Sequence, residues 1–178
     1  MTDNNHDYTV AIVGSGFSGT LVATHLLADR SPQPLRVVLT ERAASRFGRG
    51  VAYATNCFAH LLNVPAGKMS AFIEDQQHFL RWAERQSSSI QADHFVPRLM
   101  YGAYLNDVLD EAEVSASRGR QLQRVTDEVT SLDLLPRSEG ALLQLHAGKP
   151  IHADRVVLAL GNHPPADPPV ANCDFYNN

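Results

Sequence analysis

Six residues near the start of the chain have the spacing with the clearest chemical meaning: Gly14-Ser15-Gly16-Phe17-Ser18-Gly19, a G-x-G-x-x-G run. Each glycine answers a separate demand. Gly14 permits a tight turn, Gly16 lets a pyrophosphate approach the backbone, and Gly19 lets the following helix pack closely on the preceding strand. Amides at the helix N-terminus, together with the helix dipole, then face the two phosphates. Glu41 stands 22 residues beyond Gly19, where a carboxylate accepts hydrogen bonds from ribose hydroxyls. A carboxylate there repels the 2′-phosphate of NADP, which leaves NAD or the ADP half of FAD.

Other chemistries fail on spacing. Gly14 to Thr20 lacks the lysine of a P-loop, and no G-x-S-x-G surrounds Ser15 or Ser18. Eight histidines form no H-E-x-x-H, and His60, His146 and His152 read as core or surface residues rather than metal ligands. Cys57 and Cys173 lie 116 positions apart, which is neither a redox pair nor a disulfide framework. No residue stands out as a general acid or base, so the catalytic residues stay unassigned.

The elements that position the glycine run follow from hydrophobic periodicity. Tyr8 to Val13 is a short apolar strand, Phe17 to Asp29 a helix, and Leu35 to Thr40 a second strand ending at Glu41. Phe17, Leu21, Leu26, Leu27 and Ala28 are available as the inward stripe of that helix. Strand, helix and strand make a βαβ unit, and its sheet is parallel because the helix returns the chain. About 80 residues then intervene before the third strand at Leu122, with helices at Gln76 to Gln86 and Tyr101 to Ala116. The acids on the outer face of the second of these, Asp107, Asp110 and Glu113 with Asn106, read as a solvated face rather than metal ligands. Leu122 to Val125, Val129 to Leu134 and Leu142 to His146 alternate around Ser138 and Gly140 as a small β-meander would. Arg155 to Leu160 is again a continuous strand, stopped by Gly161 and by Pro164 and Pro165. The expected class is α/β: a Rossmann-like parallel sheet with an inserted helical and loop region after its second strand, and a small meander. One domain over residues 1–166 is expected, with the insertion at 42–120 and an irregular tail at 167–178.

The insertion bears on the cofactor. It contains Gly48, Gly50, Tyr53, Leu61, Leu62, Met69, Phe72 and Trp82, and a large, flat, partly apolar isoalloxazine needs such an enclosure more than a nicotinamide does. FAD is therefore favoured over NAD. Composition narrows the partners further. Fifteen basic against nineteen acidic residues leave a net charge of −4, so no cationic excess exists for nucleic acid. A hydrophobic fraction of 44% with 19% charged residues fits a packed core. No apolar run approaches a bilayer span, and Met1 to Asp7 has no apolar leader core. A soluble, reduced, cytoplasmic setting is expected, without membrane or nucleic-acid partner.

Several stretches together resemble the bacterial FAD-NAD(P)-binding proteins, a family that includes FAD-dependent urate hydroxylase and an aspartate N-monooxygenase. They are Gly14 to Gly19, Gly48-Arg-Gly50-Val-Ala-Tyr53, His60-Leu-Leu-Asn-Val-Pro-Ala-Gly-Lys-Met-Ser-Ala-Phe72, Val96-Pro-Arg98-Leu-Met-Tyr101-Gly-Ala-Tyr104-Leu, and Val156-Val-Leu-Ala-Leu-Gly161-Asn-His-Pro-Pro165. The resemblance covers nearly all of residues 8–165, and its most specific part is His60 to Phe72. It implies a flavoprotein in which Gly14, Ser15, Gly16, Phe17, Ser18 and Gly19 hold the pyrophosphate of FAD. Glu41 with Arg42 would hold the adenosine ribose, and Val129 would offer backbone atoms to adenine. Gly161 would close the strand beneath the cofactor, with Asn63, Met69 and Arg98 on the flavin side; for Met69, plain core packing has equal weight.

Family members run past residue 178, and the sequence holds no second G-x-G-x-x-G for NAD(P)H, the co-substrate of the full-length family. The chain is therefore expected to be the FAD-binding portion of an NAD(P)H-dependent monooxygenase, inactive with NADPH alone. It is also expected to bind FAD weakly or to depend on self-association as a homo-oligomer, because the edge at Arg155 to Leu160 is incompletely covered. A non-catalytic dinucleotide-binding module and an NAD-dependent dehydrogenase remain the alternatives.

Overall fold

The computed structural model describes residues 8–162. The tail expected at 167–178, Cys173 and the prolines at 164 and 165 lie outside them. Four strands form the main sheet: β1 (Tyr8–Val13), β2 (Leu35–Glu41), β3 (Arg120–Thr126) and β7 (Arg155–Leu158), in the order β3-β2-β1-β7, all parallel. Helix α1 (Phe17–Ala28) links β1 to β2, whose register runs from Tyr8 opposite Leu35 to Val13 opposite Thr40. A second sheet, β4 (Val129–Leu134), β5 (Ala141–Leu145) and β6 (Ile151–Ala153), is an antiparallel meander.

Alternation along β1 sorts its side chains to two faces. Val10 and Ile12 pack with Val37 and Leu39 of β2 against Ala23 and Leu27 of α1, and against Leu109 and Ala112 of α3 (Arg98–Val114). Ala11, Val13 and Val38 face the other way, onto Leu143 and Ala153 of the meander. The central strands β1 and β2 are thus buried on both sides, which is why they read as continuous apolar runs. A third core fills the insertion, where α2 (His78–Gln86) supplies Phe79, Leu80, Trp82 and Ala83 and α3 supplies Tyr101, Tyr104, Leu105 and Val108. Helix α3 belongs to both cores and fixes the insertion on the sheet.

Three expectations are corrected. The strand at Leu122 is not the first strand of the meander. It pairs in parallel with β2, and Ile151–Ala153 is the third meander strand instead. Because β3 lies at the sheet edge, Gln121 and Gln123 are exposed, and the resulting alternation imitates a meander strand. The inward face of α1 is Gly19, Thr20, Ala23, Thr24 and Leu27, while Phe17 and Ala28 are exposed and Leu21 and Leu26 half-buried. Close approach to β1 selects small side chains, so the larger apolar ones turn to the flanks. Strand β7 ends at Leu158, and Leu158 and Leu160 are exposed.

Candidate functional site

The glycine run forms the turn between β1 and α1, at the C-terminal end of the parallel strands and at the point where the sheet order reverses between β1 and β7. Ligands of open α/β sheets bind in this crevice. Gly14 has φ +98°, and a Cβ there would lie 2.4 Å from the Ala159 carbonyl oxygen. Its N–H donates to Thr40 O at 3.1 Å. A Cβ on Gly19 would lie 1.9 Å from Gly14 O, so the third glycine is what lets α1 sit against the turn.

Gly16 differs from both. Its φ of −68° and ψ of −168° are open to any residue, and among the described residues a Cβ would meet only Gly50 Cα, at an ordinary 3.7 Å. Neither backbone nor packing requires glycine there. Helix α1 starts beside it with no side-chain cap and no acid in its first turn. The first amides of a helix have no intrahelical acceptor, so this end carries donors and the positive end of the dipole into the crevice. The uncapped, acid-free start of α1 beside Gly16 fits a pyrophosphate.

Glu41 ends β2 beside this turn. Its Oε2 accepts the Ser15 hydroxyl at 3.0 Å and the Ser15 N–H at 3.4 Å, while its main-chain carbonyl accepts the Asp127 N–H at 2.9 Å. Arg42 lies 3.8 Å from Glu128, with both side chains more than half exposed. These contacts draw the turn before β4, and with it Val129, toward Glu41 and Arg42. Val129 itself pairs with Leu145 in the meander. Ser15, Glu41, Arg42 and the approach to Val129 therefore share one end of the sheet.

Asn63, Met69 and Arg98 belong to the insertion. Arg98 opens α3, donates its N–H to His60 O at 2.8 Å and its Nε to Leu61 O at 3.1 Å, and so braces the His60–Leu62 segment. Asn63 is exposed, and Met69 is half-buried against the insertion core. Gly161 has φ +70°, and among the described residues no atom beyond its chain neighbours lies within 4 Å of its Cβ position.

Gly50, absent from the candidate site residues drawn from the sequence, joins the turn. With φ +52°, a Cβ on it would lie 2.9 Å from Gly16 Cα. The signal for it lies in the Gly48-Arg-Gly50-Val-Ala-Tyr53 stretch, which belongs to the family resemblance. Aromatic rings tie the same loop to α1 and α3. Phe17 is stacked on Tyr101 with centroids 6.3 Å apart, and Tyr53 lies 5.0 Å from Tyr101. Burial pushes the Tyr53 phenol up, against the pull of Arg98, and pushes Tyr101 up further. Deeper in the insertion, His78 Nδ1 lies 2.8 Å from the Tyr104 hydroxyl, and burial holds its imidazole below the usual range. The acids on α3 are engaged: Asp107 accepts from Trp82 Nε1 at 2.8 Å, and Asp110 and Glu113 pair with Arg124.

A parallel sheet with a glycine turn of this geometry defines a dinucleotide-binding domain. Residues 11–163 match the FAD-NAD(P)-binding family, and the chain belongs to it. No curated protein matches the chain. Among solved structures, oxidised steroid monooxygenase bound to NADP is 21% identical over 90% of this chain and 28% of its own, with a TM-score of 0.60. Cyclohexanone monooxygenase from Rhodococcus sp. Phi1 bound to NADP+ is 20% identical over 90% of this chain and 28% of its own, with a TM-score of 0.58. A Diels-Alderase of pyrroindomycin biosynthesis is 18% identical over 86% of this chain and 32% of its own, with a TM-score of 0.51. The likeness is one of fold, and the chain spans under a third of each of these proteins.

Proposed function

We propose that this chain binds FAD in the Gly14–Gly19 turn and serves as the FAD-binding part of an NAD(P)H-dependent flavin monooxygenase, over a domain of residues 1–166. The observation that carries the dinucleotide site is Gly16: among the described residues its conformation and neighbours would accept a side chain, so a glycine there leaves the backbone open to a ligand, and the enclosing insertion favours FAD over NAD. In this assignment the amides at the start of α1 hold the pyrophosphate, and Glu41 takes the adenosine ribose with Arg42 beside it. The turn leading to Val129 borders adenine, and the insertion, with Asn63, Met69 and Arg98, walls the flavin side near Gly161. Bound flavin supplies hydride acceptance and oxygen activation, while the protein orients it and keeps water away. Support for the monooxygenase part comes from the fold shared with steroid and cyclohexanone monooxygenases. Among the described residues no helix is long and apolar enough to cross a membrane.

The test is the spectrum and mass of ligand released when the purified chain is denatured, followed by titration of the stripped protein. Stoichiometric FAD is the expected result. A colourless protein that is stabilised by NAD and not by FAD overturns it in favour of a dehydrogenase. Stopped-flow mixing of the FAD-loaded chain with NADPH, and with NADH, tests the co-substrate. Because the sequence holds a single G-x-G-x-x-G, the flavin of this chain is expected to stay oxidised.

A further inference from the structure

The Ser15 hydroxyl sits inside the phosphate turn, and its proton is committed to the Glu41 carboxylate. Ser15 is fully buried, and both its hydroxyl and its N–H are directed at Oε2 of Glu41. Its carbonyl accepts Thr20 Oγ1 at 3.0 Å, while the Thr20 N–H bonds Gly16 O at 2.9 Å, so the residue is held from the α1 side as well. A carboxylate has about four lone-pair sites, two on each oxygen. The two Ser15 donors occupy those of Oε2, and among the described residues Oε1 takes no hydrogen bond.

We infer that Ser15 is a positioning residue: its hydroxyl locks the Glu41 carboxylate by one oxygen so that the other is presented to the adenosine ribose diol, and it thereby sets the preference for ribose over 2′-deoxyribose. This rests on the ribose role proposed above for Glu41. The physical gain is preorganisation. A glutamate has three side-chain torsions to order on binding, and the Ser15 bonds order them before the nucleotide arrives. A direct phosphate role for the hydroxyl would require it to leave Glu41, abandoning a bond to a charged acceptor inside a buried turn.

Calorimetric titration of the full chain with ADP and with 2′-deoxy-ADP tests this. The wild-type chain should prefer ADP by about tenfold, the discrimination expected for one hydrogen bond to a charged group. Ser15→Ala should reduce that preference to within about threefold, because the carboxylate is no longer fixed. Combining Ser15→Ala with Glu41→Gln should leave no less discrimination than Glu41→Gln alone. If Ser15→Ala weakens both nucleotides equally and keeps their ratio, the hydroxyl acts on phosphate or on stability only, and the positioning role is overturned. If Glu41→Gln collapses the ratio while Ser15→Ala keeps it, positioning falls but the ribose role of Glu41 stands. A ratio unchanged by Glu41→Gln removes both, and absence of ADP binding to the wild-type chain removes the dinucleotide site itself. Should Ser15→Ala fail to fold, Ser15→Cys keeps the size with a weak donor, and a wild-type ratio there overturns the inference.

Discussion

Replacing Gly16 by alanine separates the ligand's demand on the turn from the protein's own. A Cβ at this position stands 3.7 Å from Gly50 Cα, an ordinary contact, and the backbone angles suit alanine. Two terms act on stability. Losing glycine from the unfolded chain stabilises by about 0.4–1 kcal/mol. Alanine at the cap of α1 costs about 1 kcal/mol relative to a better cap. They offset to within about 1 kcal/mol, so the melting temperature should move by no more than about 2–4 °C. Binding should respond far more strongly. A methyl group where the pyrophosphate meets the backbone displaces at least two charge-assisted bonds of about 1.5–3 kcal/mol each, hence a loss of FAD affinity above about 100-fold. Valine, with two further carbons, should abolish binding. Gly19→Ala is the contrasting variant. Its Cβ would lie 1.9 Å from Gly14 O, so α1 must lift off the turn, with an overpacking cost of about 1–3 kcal/mol or more. Quenching of FAD fluorescence on titration, paired with thermal melts, reads both effects. Wild-type FAD affinity in a folded Gly16→Ala protein would refute the reasoning and place the cofactor elsewhere.

Other variants probe the neighbouring parts. Glu41→Gln should weaken FAD by about 1–2 kcal/mol, read as a shift of the titration midpoint; unchanged affinity would leave the ribose to Arg42 or backbone groups. Gly50→Ala drives a Cβ to 2.9 Å from Gly16 Cα at a positive φ, so FAD affinity should fall although the substitution lies outside the glycine motif; retained affinity would show that the loop yields. Arg120, nearly buried, donates to Leu26 O and to the Asp29 carboxylate at the C-terminal end of α1. Because Asp29 is mostly exposed and stays solvated, Arg120→Met should cost about 2 kcal/mol through the lost carbonyl and dipole interactions, a drop of about 4–8 °C in melting temperature. Burial depresses the His78 pKa, with Arg81 and Arg85 adding to the effect and Asp75 and Glu111 opposing it. The unfolded chain then takes up the proton first, so this contribution to stability is complete above about pH 6.5 and falls as the pH drops below it; melts from about pH 7.5 to 5.5 should show the slope, and His78→Gln should reduce it.

What could be read from the chain alone was local. Strand β1 and the positions of Gly14, Gly19 and Glu41 follow from apolar runs and from a motif whose parts lie within about 35 residues. The family match over residues 11–163 agrees with the resemblance carried by the same motif and by the His60–Phe72 segment. Helix α3 was visible because Tyr101, Tyr104, Leu105, Val108, Leu109 and Ala112 repeat at helical spacing. Tertiary structure decided the rest, for reasons of long-range pairing. Strand β3 shows an edge pattern that fits a meander as well as a parallel sheet, and only its register with β2 distinguishes them. The inward face of α1 depends on how closely the helix approaches β1, which favours Gly19 and Ala23 over larger apolar residues. The contact of Gly50 with Gly16 joins two loops 34 positions apart, and the hydroxyl of Ser15 meets Glu41 across 26. Periodicity records which side of an element is apolar, whereas a contact between two turns leaves no period in either, so it emerges only once the sheet has set their distance.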